Sequence, residues 1–190
     1  MNILEIFFNS LKLILTFDED LWEIILLSLS VSLVALVIAS FLGILIGYCL
    51  AIKNFFLKNL IIVALNSLMG IPPVVVGLIV YFIFASGGPL GVLQLLYTPS
   101  AMIVAQTIII FPIVASLSHE IILKNWLDFK DQIRSLNIPF LGVAKLLINH
   151  SYFLLITTLL SAFGRAISEV GAVMIVGGNI DNYTRVMTTA

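Results

Sequence analysis

Charged residues are scarce in this sequence: Asp, Glu, Lys and Arg make up 10% of its 190 residues. A soluble domain carries about 25% charged residues. Hydrophobic residues make up 61% of the chain, more than a water-soluble fold can hide, so the predicted solvent is a lipid bilayer. The net charge is −1 and there is no basic tract, so no nucleic-acid partner is expected.

Cysteine, histidine and catalytic motifs are also scarce. The single cysteine, Cys49, excludes an internal disulfide and a cysteine-cluster metal site, and within its apolar run we interpret it as a buried structural thiol. His119 and His150 lie near the ends of apolar runs without metal-site spacing, so both are interpreted as interfacial. There is no GxxxxGK[ST] phosphate loop and no Ser/His/Asp or Cys/His set. We therefore expect a chain that is not an enzyme and holds no cofactor or metal.

The first 20 residues lack the basic region and the small-residue cleavage site of a signal peptide. Their polar residues instead recur at helical spacing, namely Asn2, Glu5, Asn9, Lys12 and Thr16. This pattern predicts an amphipathic helix lying on the membrane surface over residues 1–20, with a disordered tail as the alternative.

Four apolar runs predict membrane spans at about residues 21–52, 59–86, 100–123 and 151–178. The predicted fold class is therefore all-α, a polytopic membrane helical bundle over residues 21–190. Small residues recur four apart in the first span, which indicates close packing of another helix. The second span is interrupted at Pro72 and Pro73. These prolines remove backbone donors, so the break must face protein or water, and it marks either a transport path or a packing kink.

The fourth predicted span carries two charges, Arg165 and Glu169, with Ser168 on the same helical face. Each charge costs about 2.5–3.5 kcal/mol near the bilayer centre, so both must face the bundle interior or water. Arg before Glu is the less favourable order at a four-residue spacing, which favours partners on another helix or subunit. The face is interpreted as a wall of a translocation pathway or as an interhelical clamp, and both can hold.

The polar stretch 124–150 contains apolar residues at regular intervals and predicts a short helix with one face to water and one to protein. Six of the nine basic residues lie in this loop and in the loop after the first span, at Lys53, Lys58, Lys124, Lys130, Arg134 and Lys145. Spans of alternating direction put both loops on one side, which is predicted to be cytoplasmic. The N-terminal segment and the final polar loop are then outside.

The 124–150 loop resembles the cytoplasmic loop of ABC importer permeases, whose pattern is E-A-A, three residues, G, nine residues and I-x-L-P. Asp131 begins the triplet in this sequence and Asn137 stands at the glycine. The stretches MGIPPVVVGLIVYF, GPLGVLQLLYTPSAMIVAQ, GRAISEVGAVMIVGGNI and TRVMTTA are similar to those of oxyanion importers, most of all tungstate-type permeases related to molybdate ones.

The resemblance implies a type I importer permease, with one more span expected after Ala190. It implies a homodimer in the cytoplasmic (inner) membrane, two cytoplasmic ATPase subunits that bind the ATP, and an extracytoplasmic binding protein that delivers the oxyanion, tungstate first and molybdate second. The ATPase-coupling residues would be Asp131, Ile133, Arg134, Leu136, Asn137 and Phe140. The pathway candidates are Arg165, Ser168, Glu169, Pro72 and Pro73, with Thr184 and Arg185 at the outer mouth. A membrane scaffold that docks a soluble partner through the same loop, without transport, is the alternative.

Overall fold

A computed structural model describes residues 19–136 and 138–190. The surface helix expected over residues 1–20 lies outside this range apart from Glu19 and Asp20, at which the first described helix begins. Asn137, the residue at the glycine position of the loop pattern, also lies outside it.

The described residues are all-helical, which confirms the predicted fold class. The α-helices are α1 (Glu19–Ile52), α2 (Lys58–Leu68), α3 (Pro73–Phe84), α4 (Pro99–Ser135), α5 (Phe140–His150), α6 (Tyr152–Ile167) and α7 (Gly171–Gly177). Helices α1 and α4 are each long and apolar enough to cross a membrane. The pairs α2–α3 and α5–α6, bent by 105° and 73°, bring the candidate spans to four if each pair is one span.

Helix α4 is central and contacts every other described α-helix. It packs most extensively along α1, and small residues make this close approach possible. A Cβ added at Gly43 would lie 2.8 Å from Cγ1 of Val114, and one added at Gly47 would lie 2.8 Å from the backbone nitrogen of His119. The small residues of the first span are buried, and Gly43 and Gly47 pack directly against α4.

Two helix boundaries differ from the sequence prediction. The helix of the third predicted span, α4, does not end near Leu123 but continues to Ser135. No glycine or proline stands between Pro112 and Pro139 to stop it. The first half of the predicted 124–150 loop is therefore an extension of α4, and the rest is a short link followed by α5.

The fourth predicted span, residues 151–178, is interrupted and is not one helix: its first helix is α6. It ends at Ile167, and α7 begins at Gly171. Arg165 and Glu169 therefore do not lie on one continuous helix. The break in the second span, in contrast, lies at the predicted prolines, with Pro73 as the first residue of α3.

Each end of the bundle gathers a distinct set of loops. At one end, the Tyr48 hydroxyl of α1 donates a hydrogen bond to the Phe140 carbonyl at 2.8 Å, and the Lys53 Nζ lies 5.3 Å from the Phe140 ring centroid. At the other end, the Tyr97 amide donates to the Val176 carbonyl at 2.8 Å. The two basic loops thus share one end, while which end faces the cytoplasm remains a prediction from charge.

Candidate functional site

The break between α6 and α7 is organised by Glu169, whose side chain is only 5% exposed. Its Oε1 accepts a hydrogen bond from the Ala172 amide at 3.1 Å, which satisfies one of the amides left without a partner at the start of α7. Its backbone carbonyl accepts from Thr188 Oγ1 at 3.0 Å. The start of α7 thus holds the carboxylate, and the C-terminal segment holds the backbone of the same residue.

Arg165 lies in the last turn of α6 and pairs with Glu169. Its Nη1 is 3.9 Å from Glu169 Oε2, a long ion pair, and its side chain is 41% exposed. The sequence favoured partners on another helix or subunit because of the residue order within a helix. Within the described residues Arg165 pairs with Glu169, and a partner on another subunit stays a prediction. Ser168 Oγ only donates locally, to the Arg165 carbonyl at 3.2 Å.

Arg165 also borders a cavity of about 350 Å³ between α1, α4 and the break in the second span. Leu68, Met69 and Ile71 line it immediately before Pro72 and Pro73, and Pro112 of α4 lines its far wall. The interrupted backbone therefore faces a cavity, which is the condition for a helix break at membrane depth.

The second halves of the two interrupted helices, α3 and α7, are packed against each other. A Cβ added at Gly77 of α3 would lie 2.7 Å from Cα of Ala172, and one added at Gly171 would lie 2.6 Å from Cγ2 of Val74. Each of the long helices α1 and α4 is followed along the chain by an interrupted helical segment, which is α2–α3 after α1 and α5–α6–α7 after α4. Interrupted apolar segments in corresponding halves are a feature of transporter binding sites.

A small polar void beside the second break was not singled out by sequence reasoning. Gln106 Nε2 donates to the Ala166 carbonyl at 3.1 Å, while its buried Oε1 has no hydrogen-bond partner within the described ranges. Ser32 and Glu169 line the same void. The available signal was Gln106 itself, a long polar side chain in the middle of the third apolar run.

Thr184 and Arg185, the outer-mouth candidates, are both engaged locally. Thr184 is buried, and its Oγ1 donates to the Gly177 carbonyl at 2.6 Å and accepts from the Ile180 amide at 2.8 Å. Arg185 Nη1 lies 2.8 Å from Asp181 Oδ1. Thr184 therefore fastens the final loop to the end of α7, and Arg185 sits in a partly exposed ion pair.

The predicted coupling residues separate into two groups. Ile133 is buried in a cluster with Tyr48, Val143 and Leu147, so it holds α5 onto the bundle and is not available for docking. Arg134 and Phe140 border a groove of about 340 Å³, and Asp131 is exposed.

Two leucines are the most exposed apolar residues near this link. Leu136 is 71% exposed and Leu141 is 80% exposed. In the sequence, nothing distinguishes Leu141 from the other apolar residues of the 124–150 loop. In α5, Val143 and Leu147 face the bundle, and Leu141 lies on the exposed side of the helix.

A helical bundle with up to four candidate spans, in which two broken helices meet beside a charged pair, has the architecture of a polytopic membrane permease. No protein-family model matches the sequence. The chain is 42% identical over 188 residues to the tungstate uptake system permease protein TupB of Peptoclostridium acidaminophilum, covering 99% of this chain and 82% of that protein. It is 36% identical over 184 residues to TupB of Campylobacter jejuni, covering 97% of this chain and 77% of that one.

A third relative is the probable anion ABC transporter permease protein of Haloferax volcanii, 38% identical over 168 residues, which cover 86% of this chain and 72% of that protein. The chain therefore belongs to the ABC transporter permease family. All three relatives are named permeases, and none of them supports the scaffold alternative.

Proposed function

We propose that this chain is the transmembrane subunit of an ATP-driven importer of an oxyanion, with tungstate as the first substrate and molybdate as the second. The observation that carries the proposal is the similarity to two tungstate uptake permeases over 97–99% of the chain. The chain contributes the pore, and separate ATPase subunits bind and hydrolyse the ATP.

The translocation pathway runs beside the break between α2 and α3 and the break between α6 and α7. Arg165 supplies the positive charge that a divalent oxyanion requires, and the break at Pro72 and Pro73 leaves the 350 Å³ cavity beside it. Ser168 and Glu169 form the turn next to Arg165. Thr184 and Arg185 shape the final loop at the outer mouth. A guanidinium is suited to this task because its planar donors match an oxyanion in two places.

The coupling surface is the link between α4 and α5. Leu136 and Leu141 are its apolar anchors, and Asp131, Arg134 and the half-exposed Phe140 form its border. Asn137 belongs to the same link in the sequence. Residues that are fully desolvated at the centre of a contact carry more binding energy than those at its border, and the two leucines are assigned to that centre. The continuous helix α4 joins this surface to the centre of the bundle.

The assembly is a homodimer of permease subunits in the inner membrane, with two ATPase subunits at the basic, cytoplasmic end. An extracytoplasmic binding protein docks at the opposite end and delivers the oxyanion. The basic residues of the loops at residues 53–58 and 124–150 support this orientation, because positively charged loops remain in the cytoplasm.

Docking is tested with the double variant Leu136→Asp/Leu141→Asp in the permease–ATPase complex. Co-purification of the ATPase subunit is expected to fall at least about tenfold, since burying two new carboxylates in an apolar contact is costly. Val92→Asp is the matched control, because Val92 is 93% exposed at the opposite end of the bundle. An ATPase subunit that remains bound to the double variant would refute the coupling surface.

The substrate is tested by the ATP hydrolysis that the reconstituted complex shows with its binding protein and tungstate, molybdate or sulfate. Tungstate is expected to stimulate hydrolysis at the lowest concentration. Stimulation by sulfate alone would overturn the choice of substrate.

A further inference from the structure

We propose that Glu169 is a built-in counter-anion that competes with the transported oxyanion for Arg165 and so keeps the substrate weakly held. This inference rests on the proposed function, which places Arg165 on the pathway, and it assigns to Glu169 a specificity and release role.

Arg165 has unused capacity to bind an anion. Among the described residues that line the 350 Å³ cavity, it is the only charged one, and the walls are otherwise almost wholly apolar. A guanidinium has five N–H donors, yet its ion-pair contact within the described ranges is the long one to Glu169, at 3.9 Å. Glu169 is therefore close enough to offset the positive charge of the guanidinium. The guanidinium still has exposed N–H donors that can bind another anion.

Glu169, in contrast, is fixed in position. Its Oε1 accepts from the Ala172 amide, its carbonyl accepts from Thr188, and its side chain is almost fully buried. A fixed carboxylate next to a half-exposed guanidinium neutralises the cation when no substrate is present, which lowers the cost of a charge at this depth. When an oxyanion reaches Arg165, the same carboxylate repels it.

The consequence is a site that admits an anion and releases it. Conduction through a pore requires binding that is favourable enough for entry and weak enough for exit. A lone arginine in an apolar cavity would hold a divalent anion tightly, and Glu169 offsets part of that attraction without occupying the cavity.

The test uses Glu169→Gln, because a glutamine keeps the size of the side chain and still offers Oε1 to the Ala172 amide while removing the charge. In the purified permease–ATPase complex, without the binding protein, retention of tungstate is measured by equilibrium dialysis and metal analysis. Glu169→Gln is expected to retain tungstate about tenfold or more tightly than the wild type, as follows from removing one like charge beside the ligand. Transport per ATP hydrolysed is expected to fall, because release is slowed.

Three further variants separate the possible outcomes. Glu169→Asn is a second neutral variant, in case the glutamine variant does not fold. Glu23→Gln removes one negative charge from an exposed site on α1 and is expected to behave as the wild type. Arg165→Gln is expected to lose tungstate retention and transport.

The results distinguish the two proposals. If Arg165→Gln retains and transports tungstate as the wild type does, Arg165 is not on the pathway and the proposed route fails. If Arg165→Gln is inactive while neither neutral variant binds tungstate more tightly, the counter-anion role alone is overturned. If no variant and no wild-type complex retains tungstate, the counter-anion role is also rejected.

Discussion

Gly77 is a residue at which α3 and α7 pack with no room for a side chain. The methyl group of an alanine there would lie 2.7 Å from Cα of Ala172, a backbone atom that cannot rotate away. Gly164, in the interior of α6, has no atom within 4 Å of the corresponding position. Two glycines inside helices thus have opposite packing requirements, although the sequence alone does not distinguish them.

The prediction at this scale is that Gly77→Ala destabilises the protein and Gly164→Ala does not. Overpacking at Gly77 is expected to cost about 1–3 kcal/mol, because α3 and α7 must separate. Alanine at Gly164 is expected to be neutral or stabilising by up to about 1 kcal/mol, since it favours the helix. Thermal unfolding of both variants in detergent measures the difference, and equal shifts would contradict the packing described for α3 and α7.

For Arg165 and Glu169, the sequence predicts that the charges must be shielded, but it does not predict how the two side chains are arranged. Arg165 and Glu169 stand out in an apolar run, and the need to shield them follows from their charge alone. Their actual arrangement depends on a break that no proline announces, since residues 151–178 contain none. The remaining signal was Glu169 itself, an acidic residue two positions before Gly171. Its carboxylate accepts a hydrogen bond from the Ala172 amide at the start of α7.

At the scale of elements, helix α5 is anchored by a contact that spans 92 positions in the sequence. The Tyr48 hydroxyl holds the Phe140 carbonyl at 2.8 Å, and the two rings meet edge to face with centroids 5.0 Å apart. The start of α5, which carries the proposed coupling surface, therefore depends on the end of α1.

Tyr48→Phe is expected to loosen the start of α5 while keeping the ring contact. The lost hydrogen bond contributes about 1 kcal/mol, so amide exchange in residues 138–143 is expected to accelerate about fivefold. Hydrogen exchange followed by mass spectrometry checks this, with residues 73–84 of α3 as the internal control. Unchanged exchange at residues 138–143 would show that other contacts fix α5.

Elements with strong local signals were predicted and those set by packing were not. The first span follows from a long uncharged run, and the break in the second from two adjacent prolines. The extension of α4 to Ser135 was missed because its charges were interpreted as the start of a loop. A helix leaving the membrane becomes polar without ending, and the absence of glycine and proline up to Pro139 was the better signal.

At the scale of the whole molecule, the two ends differ in charge and predict a single orientation. Single cysteines introduced at Leu141 and at Val92, in a Cys49→Ala background, mark the two ends. A membrane-impermeant maleimide is expected to label Val92→Cys in right-side-out vesicles and Leu141→Cys in inside-out vesicles. Both positions are largely exposed, so labelling of both from the same side would reject the topology.

The length of α4 has a mechanical consequence. A helix of 37 residues is about 55 Å long, whereas the hydrocarbon core of a bilayer is about 30 Å thick. Much of α4 is therefore expected to extend beyond the hydrocarbon core. A tilt of about 5° about its midpoint moves each tip by about 2 Å, given a rise of about 1.5 Å per residue. If the proposed ATPase subunit displaces one tip, the movement is transmitted to the middle of α4, where Gly43 and Gly47 of α1 pack against it without free space.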